Sequence, residues 1–199
     1  LKYLLSQQCK HIFLLEDDIA IGDQSIFEKY IRAGEVSGIL HFNYAYHGVF
    51  ENRTCDGKPN PKKIISYEDG VKLAFYNNTT AALTYFRDIV LKEVGLLDTF
   101  YKNALEHVDH TYQIVKAGYH PPFRWFADLD DSYMFIKELD FLQKERLLKN
   151  NKHILLLRAK IFGAYFRLKN GYRPYNVPNA TEAEFLKSLD EIKNRFAIK

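Results

Sequence analysis

Hydrophobic residues recur along this chain with two different periods, which predict strands and helices respectively. The segment 12–15 is apolar without interruption, has the length of a strand, and ends at the three acids Glu16, Asp17 and Asp18. A strand that helices cover on both faces is apolar throughout, as in parallel sheets. The sequence therefore predicts a parallel strand over residues 10–18 with carboxylates at its carboxyl end.

The remaining elements follow from the same patterns. Asp23 or Ser25 can cap a helix that continues to about Ala33, and Glu28 completes an S-x-x-E capping box with Ser25. Apolar side chains alternate with polar ones from Gly38 to Tyr46, as in a strand. The other predicted elements are strands over 79–86 and 123–126, helices over 87–95 and 104–116, a mostly helical segment over 133–168, and a terminal helix over 182–196.

The composition is that of a folded globular protein, since 47% of the 199 residues are hydrophobic and 27% are charged. The net charge of +3 is too small to indicate nucleic-acid binding. Cys9 and Cys55 form neither a zinc motif nor a disulfide framework, which favours a reducing, cytoplasmic location. No apolar run has the roughly 20 residues of a membrane span. Because the chain begins at Leu1 and soon enters a predicted strand, we expect a piece of a longer protein.

The acids at the end of the first predicted strand have two interpretations. Adjacent carboxylates repel one another unless a cation neutralises them, and hard oxygen ligands suit Mg²⁺ or Mn²⁺ carrying a phosphorylated substrate. The alternative is a solvated turn in which Asp17 or Asp18 caps the following segment.

A second polar group opens the predicted helix 104–116. Glu106, Asp109 and His110 lie on one face, because residues three and four apart are neighbours on a helix. Carboxylates and imidazoles are the usual general bases of enzymes. The alternative is a pair of acids that complement the helix dipole, beside solvated histidines.

The two groups occur in the order and spacing of a known family. The strand ending in Glu-Asp-Asp (16–18) is followed by the segment 82–98, with its Arg and its closing Gly-Leu-Leu-Asp, and then by Glu-His-Val-Asp (106–109) running into Lys-Ala-Gly-Tyr (116–119). Over roughly residues 10–127 the chain resembles family 2 glycosyltransferases of the GT-A fold. Those enzymes have a strand ending in D-x-D, a similar central segment, and an E-D-x-D helix ending in K-A-G-Y.

The resemblance implies a role for each strand-end acid. It makes Asp18 the ligand of the Mn²⁺ or Mg²⁺ that bridges the diphosphate of a nucleotide-sugar donor. It places Glu16 near the ribose or nucleobase, with Asp17 between the two.

The resemblance also implies that the second residue of E-D-x-D is the general base, and His107 occupies that position. Either His107 replaces the base, or Glu106 or Asp109 takes over, or the helix serves another acceptor. We favour a carboxylate, with Glu106 and Asp109 as equal candidates, because an acid keeps its charge beside a metal and phosphates.

The chain departs from the family at its amino terminus, because the nucleobase-binding strand of the type V-S-I-I-I-P-x-Y-N has no counterpart. We therefore expect this chain alone to bind nucleotide weakly. One rival function is a non-catalytic saccharide-binding or assembly module with a GT-A-like fold. Another is a metal-dependent phosphohydrolase that uses a second acidic cluster, Asp128, Asp130 and Asp131. Trp125, close to that cluster, indicates either sugar stacking or an ordinary turn.

The predicted architecture is an α/β, GT-A-like and Rossmann-related mixed sheet flanked by helices over residues 1–135, with a helical extension over 136–199. The predicted function is metal-dependent, inverting transfer of a sugar from a nucleotide-sugar to a saccharide or lipid-linked saccharide, in bacterial capsule, lipopolysaccharide or exopolysaccharide synthesis. The basic extension is expected to pack on the catalytic region through Leu155, Ile161, Phe162 and Phe166. The alternative is peripheral contact with the inner face of the cell membrane.

Overall fold

The computed structural model describes residues 1–17, 19–46, 52–79, 82–101, 105–139 and 152–196, without the side chains of 152–156. The described helices are α1 (Lys2–Ser6), α2 (Ser25–Ser37), α3 (Asp88–Val94), α4 (Glu106–Lys116), α5 (Lys152–Asn170) and α6 (Glu182–Phe196). The described strands are β1 (His11–Leu15), β2 (Ile19–Ile21), β3 (His41–Asn43), β4 (Lys63–Ser66), β5 (Lys72–Tyr76), β6 (Leu83–Arg87), β7 (Phe126–Leu129) and β8 (Ile136–Glu138). The protein therefore belongs to the mixed α/β class, as predicted.

These strands form three small antiparallel sheets, with the orders β1-β6-β3, β2-β8 and β4-β5-β7. The predicted parallel pairing of β1 was wrong, and the described strands have no clear Rossmann-like arrangement. The apolar run reflects burial on both faces of β1, not strand direction. Ile12 packs with Phe86 and Val90 on one face, whereas the ring of Phe13 lies 4.8 Å from that of Phe27 in α2 on the other.

The β1-β6-β3 sheet brings two strand ends to one edge. Because β1 and β3 both run antiparallel to β6, they point in the same direction and end where β6 begins. The ladder continues past both strands, since the Glu16 N–H donates to the Ala82 carbonyl at 2.8 Å and the Tyr44 N–H to the Leu83 carbonyl at 2.8 Å. The first strand-end acid is thus fixed at this edge by backbone hydrogen bonds.

The main hydrophobic core includes side chains from both sides of residue 135. Phe185 of α6 stacks on Trp125 with ring centroids 4.1 Å apart and contacts Phe75 edge-on at 4.7 Å. The segment 133–168 is less helical than predicted, because Ile136–Glu138 forms β8 and pairs with β2. Trp125, for which the sequence left sugar stacking and an ordinary turn open, is a core residue, and its Nε1–H donates to the Ala180 carbonyl.

Helix α5 packs on the rest of the chain through part of the predicted surface. Phe162 and Phe166 are buried, as predicted, whereas the prediction was wrong for Ile161, which is 47% exposed. The side chain of Leu155 lies outside the described residues. Lys169 is exposed, as expected of the basic residues, but its Nζ atom also pairs with Asp98 and with the buried Asp109. Within the described ranges, we find no helix that is long and apolar enough to cross a bilayer.

The second acidic cluster is part of the structural framework. Asp128 is buried, and its carboxylate accepts hydrogen bonds from the Tyr30 hydroxyl, the Ser132 hydroxyl and the Ala45 N–H at 2.6, 2.8 and 2.9 Å. Burial raises the pKa of Asp128 to about 6. Asp131 pairs with Lys29 at 2.7 Å. Asp128 therefore joins α2, the end of β3 and β7, and its oxygens are already occupied.

Replacing Tyr30 with phenylalanine should lower the free energy of unfolding by about 1.5–3 kcal/mol, the usual value of a hydrogen bond to a charged group. The buried carboxylate of Asp128 would lose its shortest donor. Urea unfolding at pH 7.5 measures the change, with Tyr175→Phe as the control because Tyr175 is exposed. Equal losses in the two variants would contradict this assignment.

Candidate functional site

The structure brings the two predicted polar groups together. The Nε2 atom of His107, the second residue of α4, lies 3.3 Å from the Oε1 atom of Glu16 at the end of β1. Their side chains are 22% and 38% exposed, so solvent and ligand can reach both. Residues far apart in the sequence thus form one candidate site.

The backbone before α4 is strained. Leu105 has φ of +68°, in the left-handed region that a bulky residue rarely adopts. It occupies the N-cap position, and its carbonyl accepts the Asp109 N–H at 2.9 Å. Arg124 also has a left-handed φ, of +69°. Such conformations persist where the surrounding structure enforces them, and they cluster at functional sites.

Both strained residues line one cavity beside His107. The cavity has a volume of about 260 Å³, close to the lower end for small-ligand pockets. Its lining combines apolar side chains with amides, hydroxyls and one guanidinium: Asn77, Asn78, Thr79, Leu105, His107, Val108, Thr111, Phe123, Arg124, Phe126, Pro174 and Tyr175. His107 thus lies between the strand-end acid Glu16 and a pocket of mixed polarity.

Asp109, one of the predicted bases, has a structural role. It is 2% exposed, and its carboxylate accepts hydrogen bonds from Lys169 Nζ at 2.6 Å and Asn170 Nδ2 at 3.1 Å. Lys169 also pairs with Asp98 at 3.1 Å. Although burial lowers the pKa of Lys169, its hydrogen bonds to Asp109 and Asp98 raise it above the ordinary value. Asp109 therefore joins α4 to the end of α5 and is occupied.

The other polar residues of α4 have different surroundings. His110 is buried, and its Nε2 lies 2.8 Å from the Gly95 carbonyl, to which it donates a hydrogen bond. Burial lowers the pKa of His110, so its ring is neutral. Glu106 is half-buried, and its Oε2 atom is buried with no hydrogen-bond partner among the described residues. Of the three predicted bases, His107 contacts the strand-end acid and lines the cavity.

The residues at the strand end have the chemistry that a divalent cation requires. Glu16 is half-buried and Asp17 is exposed, whereas Asp18 lies outside the described residues. In the described part of the chain, we find no group of three or more His, Cys, Asp or Glu side chains arranged to hold a metal ion. Mg²⁺ is commonly bound by only one or two carboxylates together with substrate phosphates and water. The carboxylate donors of this segment fit such an ion.

Sequence reasoning missed several residues that line the cavity. Asn77, Arg124 and Tyr175 come from three separate connections, which carry no shared motif. The breakers Pro121-Pro122 and Pro174 indicated only that loops occur there.

Comparisons with protein-family models, with curated proteins and with solved structures give no match to this chain.

Proposed function

We propose that the protein is a glycosyltransferase that moves a sugar from a nucleotide-sugar donor to a saccharide hydroxyl. The observation that carries the proposal is the 3.3 Å contact between Glu16 and His107. The GT-A resemblance requires a strand-end acid and a helix residue to meet at one site, although they are distant in sequence. The adjoining cavity offers room for the acceptor.

In the proposed reaction, His107 accepts the proton of the acceptor hydroxyl. The hydroxyl oxygen then forms a bond to the anomeric carbon of the donor sugar, while the bond from that carbon to the diphosphate oxygen breaks and the nucleoside diphosphate leaves. The contact of Glu16 with Nε2 orients the His107 ring and places its hydrogen on Nε2, so that Nδ1 is the atom that accepts the proton. A base oriented by a second side chain is a recurrent arrangement in enzymes.

The chain's carboxylates have a separate role toward the donor. Asp18 would hold Mn²⁺ or Mg²⁺ together with the donor diphosphate, Glu16 would lie near the ribose or nucleobase of the donor, and Asp17 would lie between the two. When bound, the ion stabilises the negative charge of the departing diphosphate. The setting we propose is synthesis of a bacterial surface polysaccharide in the cytoplasm, at the inner face of the membrane.

The surroundings of the second acidic cluster favour this function over a two-metal phosphohydrolase. That rival needs Asp128 and Asp131 as free ligands. Asp128 is buried among hydrogen-bond donors, and Asp131 pairs with Lys29. A non-catalytic saccharide-binding module with the same fold is the remaining alternative, and it predicts binding without transfer.

Calorimetry on the full-length gene product tests the donor site. Nucleotide-sugars should bind more tightly with Mn²⁺ than with EDTA, and Asp18→Asn should remove the Mn²⁺-dependent part of the affinity because one ionised ligand is lost. Asp131→Asn is the matched control, since Asp131 pairs with Lys29. Unchanged metal dependence in Asp18→Asn would refute the assignment of Asp18. Binding of acceptors without transfer from any nucleotide-sugar would favour the binding module.

A further inference from the structure

A second cavity adjoins the one beside His107. The second cavity has a volume of about 520 Å³ and lies between α5 and the loop before α6, where Ala159, Lys160, Gly163, Ala164 and Arg173 line it. Leu105, Pro174 and Tyr175 line both cavities. The two cavities therefore adjoin, and together they make up a groove that extends from His107 to α5.

The charged residues of the groove are of one sign. Arg124, Lys160 and Arg173 line it, and the described residues of its lining include no aspartate or glutamate. None of these three cations forms an ion pair with another described residue. Clefts lined by one sign of charge concentrate ligands of the opposite sign. The groove is therefore suited to an anionic ligand.

An exposed aromatic ring lies where the two cavities join. Tyr175 is 82% exposed, although its main chain is held because Arg124 Nη2 donates to the Tyr175 carbonyl at 2.8 Å. Pro174, which is buried, further fixes this turn. A rigidly mounted tyrosine presents an apolar face and a hydroxyl, which together suit stacking against a sugar ring.

We propose that this groove binds an acidic oligosaccharide as the acceptor. The reacting hydroxyl lies at His107, a sugar ring stacks on Tyr175, and carboxylate or phosphate groups of the chain pair with Lys160 and Arg173. This assignment rests on the proposed function for the direction of the acceptor, whereas the preference for negative charge rests on the groove alone.

Titration calorimetry on this chain, at low salt and without donor, tests the charge preference. The probes are an acidic tetrasaccharide of alternating glucuronic acid and N-acetylglucosamine, and the neutral tetramer of N-acetylglucosamine. The acidic probe should bind about tenfold or more tightly, and 0.5 M salt should remove most of that advantage because exposed charges are screened. The double variant Lys160→Gln/Arg173→Gln should lose about fivefold in affinity per cation for the acidic probe and little for the neutral one.

Two further variants locate the binding. Tyr175→Ala should weaken both tetrasaccharides, because stacking does not depend on the charge of the sugar. Lys187→Gln should change neither affinity, since Lys187 is an exposed lysine of α6 outside the groove.

Equal affinity for the two probes, or acidic binding that the double variant leaves unchanged, would overturn the proposal. If this chain binds the acidic probe selectively but the full-length protein transfers no sugar, the groove is still a binding site for acidic oligosaccharides. The proposed glycosyltransferase function is then refuted.

Discussion

Replacing His107 with alanine in the full-length protein should lower the rate of sugar transfer by about 10²–10⁴-fold, the range typical of a lost general base. Its Nε2 atom faces Glu16, and its ring lines the cavity in which we place the acceptor. Donor binding should change little, because the proposed function assigns the donor to the carboxylates of the strand end and not to His107. The measurement is the rate of transfer to an acceptor at saturating donor, beside calorimetric donor affinity.

Variants of Asp109 and Glu106, the other two candidate bases, complete this test. Asp109→Asn should lower stability and change the rate mainly through folding, because Asp109 is buried against Lys169 and Asn170. Glu106→Gln should reduce the rate less than His107→Ala, since Glu106, unlike His107, is not among the described residues that line the cavity. If Glu106→Gln lowers the transfer rate more than His107→Ala, and His107→Ala is nearly as active as wild type, the general base is the carboxylate of Glu106 and not His107. If all three variants transfer sugar at nearly the wild-type rate, α4 does not supply the general base.

Acid should destabilise the protein through His120, by about 3 kcal/mol between pH 6.5 and pH 4. Burial lowers the pKa of His120 from its ordinary 6.5 to about 4. Between these values the unfolded chain binds a proton at this residue and the folded protein does not. Stability therefore falls as pH falls through this window.

The hydrogen bonds of His120 explain why its neutral form is required. Nδ1 donates to the Pro121 carbonyl at 2.8 Å, and Nε2 accepts the Ala127 N–H at 3.2 Å. Protonation would place a hydrogen on Nε2, which would break the bond from Ala127 and leave a buried charge. The edge-on ring of His41, 5.1 Å away, offers no acid to balance that charge.

The pH effect is measured as the difference in unfolding free energy between wild type and His120→Gln at several pH values. Comparison with a variant is needed because Asp128 acts in the opposite direction: its pKa is raised, so protonation below about pH 6 stabilises the folded state. The difference should decline by about 3 kcal/mol from pH 7 to pH 4. If the unfolding free energies of wild type and His120→Gln change with pH in parallel, the assignment is wrong, because His120 is then not the source of the acid sensitivity. If His120→Gln does not fold, NMR titration of the His120 ring decides, and a pKa near 6.5 would refute it.

The sequence predicted elements better than their arrangement. The polar residues at 23–25 and the glycine after Val94 correctly indicated α2 and α3, because such signals act within a few residues. The predicted capping box does not form, since Asp23 and not Ser25 accepts a backbone hydrogen bond there, and α2 continues beyond the predicted Ala33 to Ser37. The direction of β1 was not predictable in this way. Apolar residues on both faces of a strand report burial alone, and antiparallel β6 satisfies that burial as well as a parallel neighbour would.

In the candidate site, too, local signals were predictable from the sequence and long-range contacts were not. The spacing within α4 identified the polar residues, but whether each meets solvent, a cavity or a partner depends on distant segments. Asp109 is buried because Lys169 and Asn170, at the end of α5, reach it. Arg124 and Tyr175 enter the cavity from loops, where no periodic pattern marks them.

The bond between Lys169 and Asp109 has a consequence for protein synthesis. Domains begin to fold from the amino terminus as the chain emerges at about 5–20 residues per second. Helix α4 leaves the ribosome well before α5, so the carboxylate of Asp109 stays solvated until Lys169 has emerged. The residues of α5 and of the turn after it, which line the second cavity, emerge later still. A nascent chain that has not passed Tyr175 therefore lacks part of the groove lining, and the proposed activity should require synthesis beyond that residue.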